Sequence, residues 1–213
     1  MPNPVPTATT LSEIYHPEDV PSQVPRWNAL TNAFTARYGH TPDFISRSPG
    51  RVNIIGEHID YSLYPTLPMA ITADTILAIS SNPTPPTSPT FKIEVANLLD
   101  DKFPSSTFDV PVDGEVEIDP KSHDWANYFK CGLSGALQLL RRKRGAGAVR
   151  CASMKVMMDG TVPVGGGLSS SAAFTTASAL AVMYANGERE VDRTELTELA
   201  IVSERGVGVN SGG

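Results

Sequence analysis

The chain has 213 residues, 40% of them hydrophobic and 19% charged, with a formal net charge of −6, which is enough material for one or two domains with a real core. The acidic balance argues against general nucleic-acid binding but not against a nucleotide, which needs only local cations and amides. Two cysteines, Cys131 and Cys151, without CxxC spacing suggest neither a disulfide framework nor a metal knuckle; the proline-bearing start, Met1 to Thr10, lacks the apolar core of a signal peptide, and no apolar run reaches membrane-spanning length, so a cytoplasmic protein with no nucleic-acid or membrane partner is expected.

Residues 1–24 read as an irregular lead-in. A helix is expected from Pro25 to Tyr38, because Trp27, Leu30, Phe34 and Tyr38 recur every three or four positions and Gly39 can stop it. Pro49-Gly50 marks a turn and Val52 to Ile55 a short strand. Gly56 ends that strand, and Glu57, His58 and Asp60 follow within four positions. Carboxylates that accept from hydroxyls and an imidazole that can do either suit a polyol ligand. A solvated loop reads equally from these residues, and a metal site has only one H-x-D behind it.

Leu67 to Ile71 and Thr75 to Ser80 read as paired strands, Ser81 to Pro89 as a surface connection, and Phe91, Ile93 and Val95 as the inward positions of a half-buried strand. Asp100 to Ser122 is loop-rich. Asp124 can cap a helix from Trp125 to about Leu140, with Trp125 and Tyr128 as core residues or as the wall of an adenine pocket. Arg141 to Arg144 close it as a solvated, dipole-complementing end, and Gly145 stops it. Met154 to Met158 is strand-like.

The stretch Pro163-Val164-Gly165-Gly166-Gly167-Leu168-Ser169-Ser170-Ser171 then runs into a small, apolar, breaker-free helix, Ala172 to Tyr184. Glycines allow positive φ and close backbone approach, and amides at a helix N-terminus form an anion site. The loop lacks the lysine of a Walker P-loop and the spacing of a dinucleotide fingerprint; the bland reading is a flexible Gly-Ser turn. Asn186-Gly187 is a turn, and Asp192 with Glu195 resembles a capping box before a helix that buries Leu196, Leu199 and Ala200. Glu204 ends that helix, where a carboxylate is disfavoured unless it is exposed and screened or meets a bound Mg²⁺. The chain stops on Gly212-Gly213 in a turn-like stretch, which reads like a truncation.

Two segments together carry a family resemblance. Gly50-Arg51-Val52-Asn53-Ile54-Ile55-Gly56-Glu57-His58-Ile59-Asp60-Tyr61 resembles the galactokinase signature, and Pro163 to Ala173 resembles the phosphate loop of the GHMP small-molecule kinases. Trp125-Ala126-Asn127-Tyr128 and Gly208 to Gly213 are also similar to galactokinases. The resemblance implies an α+β fold over residues 25–213, the GHMP-kinase N-terminal domain with its ribosomal-protein-S5 second-domain fold, with a C-terminal domain missing and apolar surface exposed where it would pack. It implies transfer of the γ-phosphoryl of MgATP to the anomeric hydroxyl of galactose by a protein that is a monomer at full length. Arg51 would steady the reacting oxygen as catalytic residue. Glu57, His58, Asp60 and backbone near Gly212 would hold the sugar. Gly165, Gly166, Gly167, Leu168, Ser169, Ser170 and Trp125 would bind the nucleotide, and Ser171 and Glu204 would ligate Mg²⁺.

Two departures qualify it. Family members carry a catalytic aspartate just after the glycines matching Gly212 and Gly213, so the 213-residue chain is expected to have little activity alone. Ser62 to Thr66 replace an Asn-Gly-rich stretch, which leaves N-acetylgalactosamine open beside galactose. A non-catalytic sugar sensor that regulates transcription is the other alternative; Ala172 and Ala173 favour catalysis over it.

Overall fold

The computed structural model describes residues 3–56, 64–122, 124–145, 149 and 151–204. Strands β1 (Phe44–Ile55), β2 (Leu67–Asn82), β3 (Thr90–Asn97), β4 (Ser106–Pro111) and β5 (Ser153–Gly160) form a five-stranded sheet in the order β1-β2-β5-β3-β4. All neighbours are antiparallel except β3 and β5. A parallel pair needs a long crossover, and β4 with helix α2 (Ala126–Arg144) lies between these two strands in sequence. Helix α1 (Val20–Tyr38) precedes the sheet; α3 (Ser170–Ala185) and α4 (Arg193–Glu204) follow β5. The expected α+β class holds.

The two-residue period of the strands sorts side chains to two faces. Ile76, Ala78, Ala96 and Met157 pack with Leu30 and Phe34 of α1. Leu77, Ile79, Val95 and Val156 pack with Phe129 and Leu133 of α2 and Phe174 and Val182 of α3. Each large aliphatic or aromatic group so buried contributes about 1.5–3 kcal/mol. The small residues of α3 have a packing reason. A Cβ on Gly132 of α2 would lie 2.5 Å from the Thr175 carbonyl oxygen and 2.8 Å from the Ala179 nitrogen, so the two helices meet backbone to backbone.

The structure corrects several sequence expectations. Helix α1 starts at Val20 rather than Pro25. Pro21 falls in the first turn, where no amide donor is needed, and exposed Pro25 leaves only a solvent-facing carbonyl without its helical bond. The lead-in is also tied down. Val5 N–H donates to Val191 O at 2.8 Å, Arg193 N–H to Asn3 O at 2.9 Å, and Tyr15 is buried. Pro49-Gly50 is not a turn: β1 runs through it with a register shift between Pro49 and Arg51, a bulge being one of the few places where a strand tolerates proline. The two strands expected between Leu67 and Ser80 are one, β2. Strand β4 lies inside the stretch expected to be loop.

Helix ends follow their local chemistry. Asp124 Oδ1 accepts the Ala126 amide at 2.9 Å, but the N-cap position falls on Trp125, one residue later than expected, and its side chain makes no capping bond. Asp192 Oδ1 accepts from Thr194 and Glu195 amides at 2.9 and 3.2 Å. Glu195 does not complete a reciprocal box; its carboxylate meets Lys143 at 2.6 Å.

A charged cluster fastens α1 to the sheet. The carboxylate of Asp74, fully buried on β2, accepts from Tyr15 Oη at 2.6 Å, Arg26 Nη1 at 2.5 Å and Arg47 Nε at 2.5 Å. Arg26 Nε also donates to Asp159 of β5. Nothing in the sequence around Asp74 singles it out.

Candidate active site

Between β5 and α3 the chain folds back through Thr161 to Ser169. Gly165 and Gly167 have φ of +74° and +69°, and a Cβ on either would meet nothing within 4 Å. Glycine is required there for backbone conformation, not for space. Ser169, the N-cap residue, has φ +58° and is the one non-glycine with positive φ among the described residues. Its carbonyl accepts the Ala173 amide at 2.9 Å, while its side chain makes no capping bond. The amides of Ser170, Ser171 and Ala172 therefore lie in the first turn, where helix geometry supplies no acceptor. With the dipole behind them they form an anion-binding end.

The other wall of this loop is β1. Arg51 N–H donates to Leu168 O at 3.0 Å. A Cβ on Gly50 would come within 2.9 Å of Leu168 O, 2.9 Å of Val162 Cγ1 and 3.1 Å of Ile71 Cδ1. Gly50 is thus a space requirement: any side chain there pushes the loop away. The structure brings Arg51 and the glycine loop together, as one site demands. Strand β1 then ends at Gly56, which has φ +100°. Glu57, His58 and Asp60, and likewise Gly212, lie outside the described residues.

Trp125 stands beside the first turns of α3. Its ring stacks on Phe174 with centroids 5.8 Å apart and an interplanar angle of 18°. Its Nε1–H donates to Pro104 O at 2.9 Å, so packing holds the indole rigidly. Ser171 sits in the first turn of α3, and Glu204 ends α4 with only 1% exposure. Helix α2 runs beside both helices, and Tyr128 meets α3 through its carbonyl and α4 through its phenol. The Thr175 hydroxyl, one turn after Ser171, donates to Tyr128 O at 3.4 Å. The Tyr128 phenol is pushed above its ordinary pKa by burial first and by the Glu204 charge second.

Among the described residues no three His, Cys, Asp or Glu side chains gather to hold a metal. A hydroxyl and a carboxylate are nevertheless hard oxygen donors, and Mg²⁺ often takes only one or two protein ligands beside phosphate oxygens. A buried carboxylate at a helix C-terminus is disfavoured by both burial and dipole, and gains from a cation. Ser171 and Glu204 fit that ion.

Sequence reasoning missed Gly50 as a contact residue and the left-handed Ser169. The Pro49-Gly50 pair was the available signal, but the dipeptide reads as a turn before it reads as a bulge.

Comparison with known proteins agrees with this geometry. Residues 32–81 match the family model described as the galactokinase galactose-binding signature, and residues 127–213 match the GHMP kinases N terminal domain. A galactokinase of Candida parapsilosis is 45% identical over 189 residues, covering 88% of this chain and 35% of that protein. A galactokinase of Candida maltosa is 39% identical over 206 residues, covering 96% and 91%. The crystal structure of Lactococcus lactis galactokinase complexed with galactose superposes with a TM-score of 0.66 at 28% identity, over 87% of this chain and 44% of that one. The chain thus spans about a third of the length of the first of these relatives and under half of the Lactococcus structure. A strand within the galactose-binding signature, hydrogen-bonded to a glycine loop within the GHMP N-terminal domain, in a chain 39% identical to a galactokinase of which it covers 91%, makes it a member of the galactokinase family.

Proposed function

We propose that the full-length protein transfers the γ-phosphoryl group of MgATP to the anomeric hydroxyl of galactose, giving galactose 1-phosphate. The observation that carries this reading is the 3.0 Å backbone bond from Arg51 N–H to Leu168 O, which supports a role for Arg51 of the signature strand beside the loop whose amides would hold the phosphates. Charge in phosphoryl transfer is spread over the equatorial oxygens of the moving group, so positioning and electrostatics do most of the work. Arg51, a planar and permanently charged donor, steadies that charge. The amides of Gly165 to Ser170 wrap the polyphosphate, and Trp125 walls the nucleotide. Glu57, His58, Asp60 and backbone near Gly212 hold the sugar hydroxyls. Ser171 and Glu204 would hold Mg²⁺, which when bound shares the phosphate charge. A cytoplasmic location and a monomeric state belong to the same proposal.

Purified full-length protein with MgATP and galactose, followed by ³¹P NMR, tests it. Appearance of a sugar 1-phosphate matched by ADP is expected. ATP left unconsumed over hours with galactose would overturn the reading, and a parallel arm with N-acetylgalactosamine separates the two sugar kinases.

A further inference from the structure

The roles above leave the Asp74 cluster unused, although it adjoins the glycine loop. The main chain of Asp74 holds the root of that loop: Thr161 N–H donates to Asp74 O at 2.9 Å, and Asp74 N–H donates to Thr161 Oγ1 at 3.1 Å. The far end of the loop is held by Arg51 N–H on Leu168 O at 3.0 Å. The two fastenings are joined to each other, because the Asp74 carboxylate takes Arg47 Nε at 2.5 Å and Arg47 lies four positions before Arg51 on β1. Asp74 also faces Pro49 across the sheet, at the edge of the register shift. The chain of contacts is a closed ring: Asp74, Thr161, the glycine loop, Leu168, Arg51, the bulge, Arg47 and Asp74 again.

The remaining members of the cluster brace this ring. Tyr15 donates to the carboxylate at 2.6 Å, receives Trp27 Nε1–H at 3.1 Å and lies under the Arg47 guanidinium at 4.8 Å from its ring centre. Arg26 ties Asp74 Oδ1 at 2.5 Å and the Asp74 carbonyl at 3.2 Å, and reaches Asp159, near the end of β5 and two positions before the loop root at Thr161. A buried ionic network gives little net stability over an apolar plug, so cohesion is a poor reason for this one. Charge-assisted hydrogen bonds are short and directional, which suits holding two backbones at one separation.

The geometry points to Asp74 as a positioning residue: its carboxylate, held by Tyr15, Arg26 and Arg47, sets the separation between the glycine loop and Arg51. This rests on the kinase reading for what Arg51 does, but only on the loop's anion-binding shape for the nucleotide.

The test uses full-length protein carrying Asp74→Asn, Arg47→Lys or Tyr15→Phe. Thermal unfolding, the Kd for mant-ATP, kcat and the KM values for ATP and galactose are measured and normalised to the folded fraction. For Asp74→Asn and Arg47→Lys the mant-ATP Kd and the ATP KM are expected to rise about fivefold or more and kcat to fall about tenfold, with the galactose KM within about twofold. A lowered unfolding temperature with all constants unchanged per folded molecule would overturn the proposal, as would equal loss for both substrates. If Asp74→Asn does not fold, Tyr15→Phe, which removes one donor and keeps the ring, carries the test with a shift of about twofold in the same direction. If the wild type binds mant-ATP but phosphorylates no galactose, the sugar-kinase reading fails while the mant-ATP arm still decides the role of Asp74.

Discussion

The two faces of the sheet are filled with different chemistry. Under α2 and α3 the filling is mainly apolar, with Leu77, Ile79, Phe129, Leu133, Phe174 and Val182 in one cluster, and its buried polar groups include small hydroxyls such as Ser46 and Ser178, each donating to a backbone carbonyl of α3. Under α1 it is apolar only around Leu30, Phe34, Ile76 and Met157, and beside the root of the glycine loop it turns into Asp74 with Tyr15, Arg26 and Arg47. Hydrophobic burial is non-directional: it holds layers together without fixing where a particular backbone atom sits. Hydrogen bonds to a buried carboxylate do fix it. One face therefore supplies cohesion and the other supplies placement.

Substitutions on full-length protein separate these contributions. Phe129→Ala, at a fully buried position of the apolar face, is expected to cost about 3–5 kcal/mol in urea unfolding; a loss under about 1 kcal/mol would show that this face is not the anchor. Arg26→Met on the other face leaves Asp74 with Tyr15 and Arg47, so its cost should fall below the ~3–5 kcal/mol of a wholly broken buried pair, at about 2–3 kcal/mol. Gly50→Ala is expected to cost about 1–3 kcal/mol by overpacking and to lower kcat per folded molecule by about tenfold to a hundredfold, because the added methyl displaces Leu168; unaltered turnover would mean the loop yields without consequence. Lys143→Met removes exposed pairs with Glu188 and Glu195 and should change stability by under about 1 kcal/mol. Burial pushes the Cys151 thiol up to about 12, so it stays protonated at pH 8, and iodoacetamide should label it only after denaturation; rapid labelling of folded protein would contradict its placement.

Much of the architecture was legible in the chain, and the exceptions have physical causes. The α1 stripe Trp27, Leu30, Phe34 and Tyr38 is visible because a helix repeats its buried side every 3.6 residues, and Leu30 and Phe34 are indeed fully buried. The loop-to-helix junction at Gly165 to Ser171 shows itself because anion binding needs glycine and a free helix end in adjacent positions. Strand β1 was half hidden, since Pro49-Gly50 obeys turn chemistry locally and is overruled only by pairing with β2. Asp74 was wholly hidden. Its partners come from positions 15, 26 and 47, and no local rule predicts contacts so distant in sequence. The meeting of Arg51 with Leu168 is likewise tertiary, and only the family resemblance anticipated it.

The juxtaposition of Arg51 and the glycine loop is tested most directly by the kcat of full-length Arg51→Gln for galactose phosphorylation, with the ATP and galactose KM values measured alongside. Loss of a fixed cation that acts on the charge of the transferring group should lower kcat by about a hundredfold or more while both KM values move little. A kcat within twofold of wild type would contradict it.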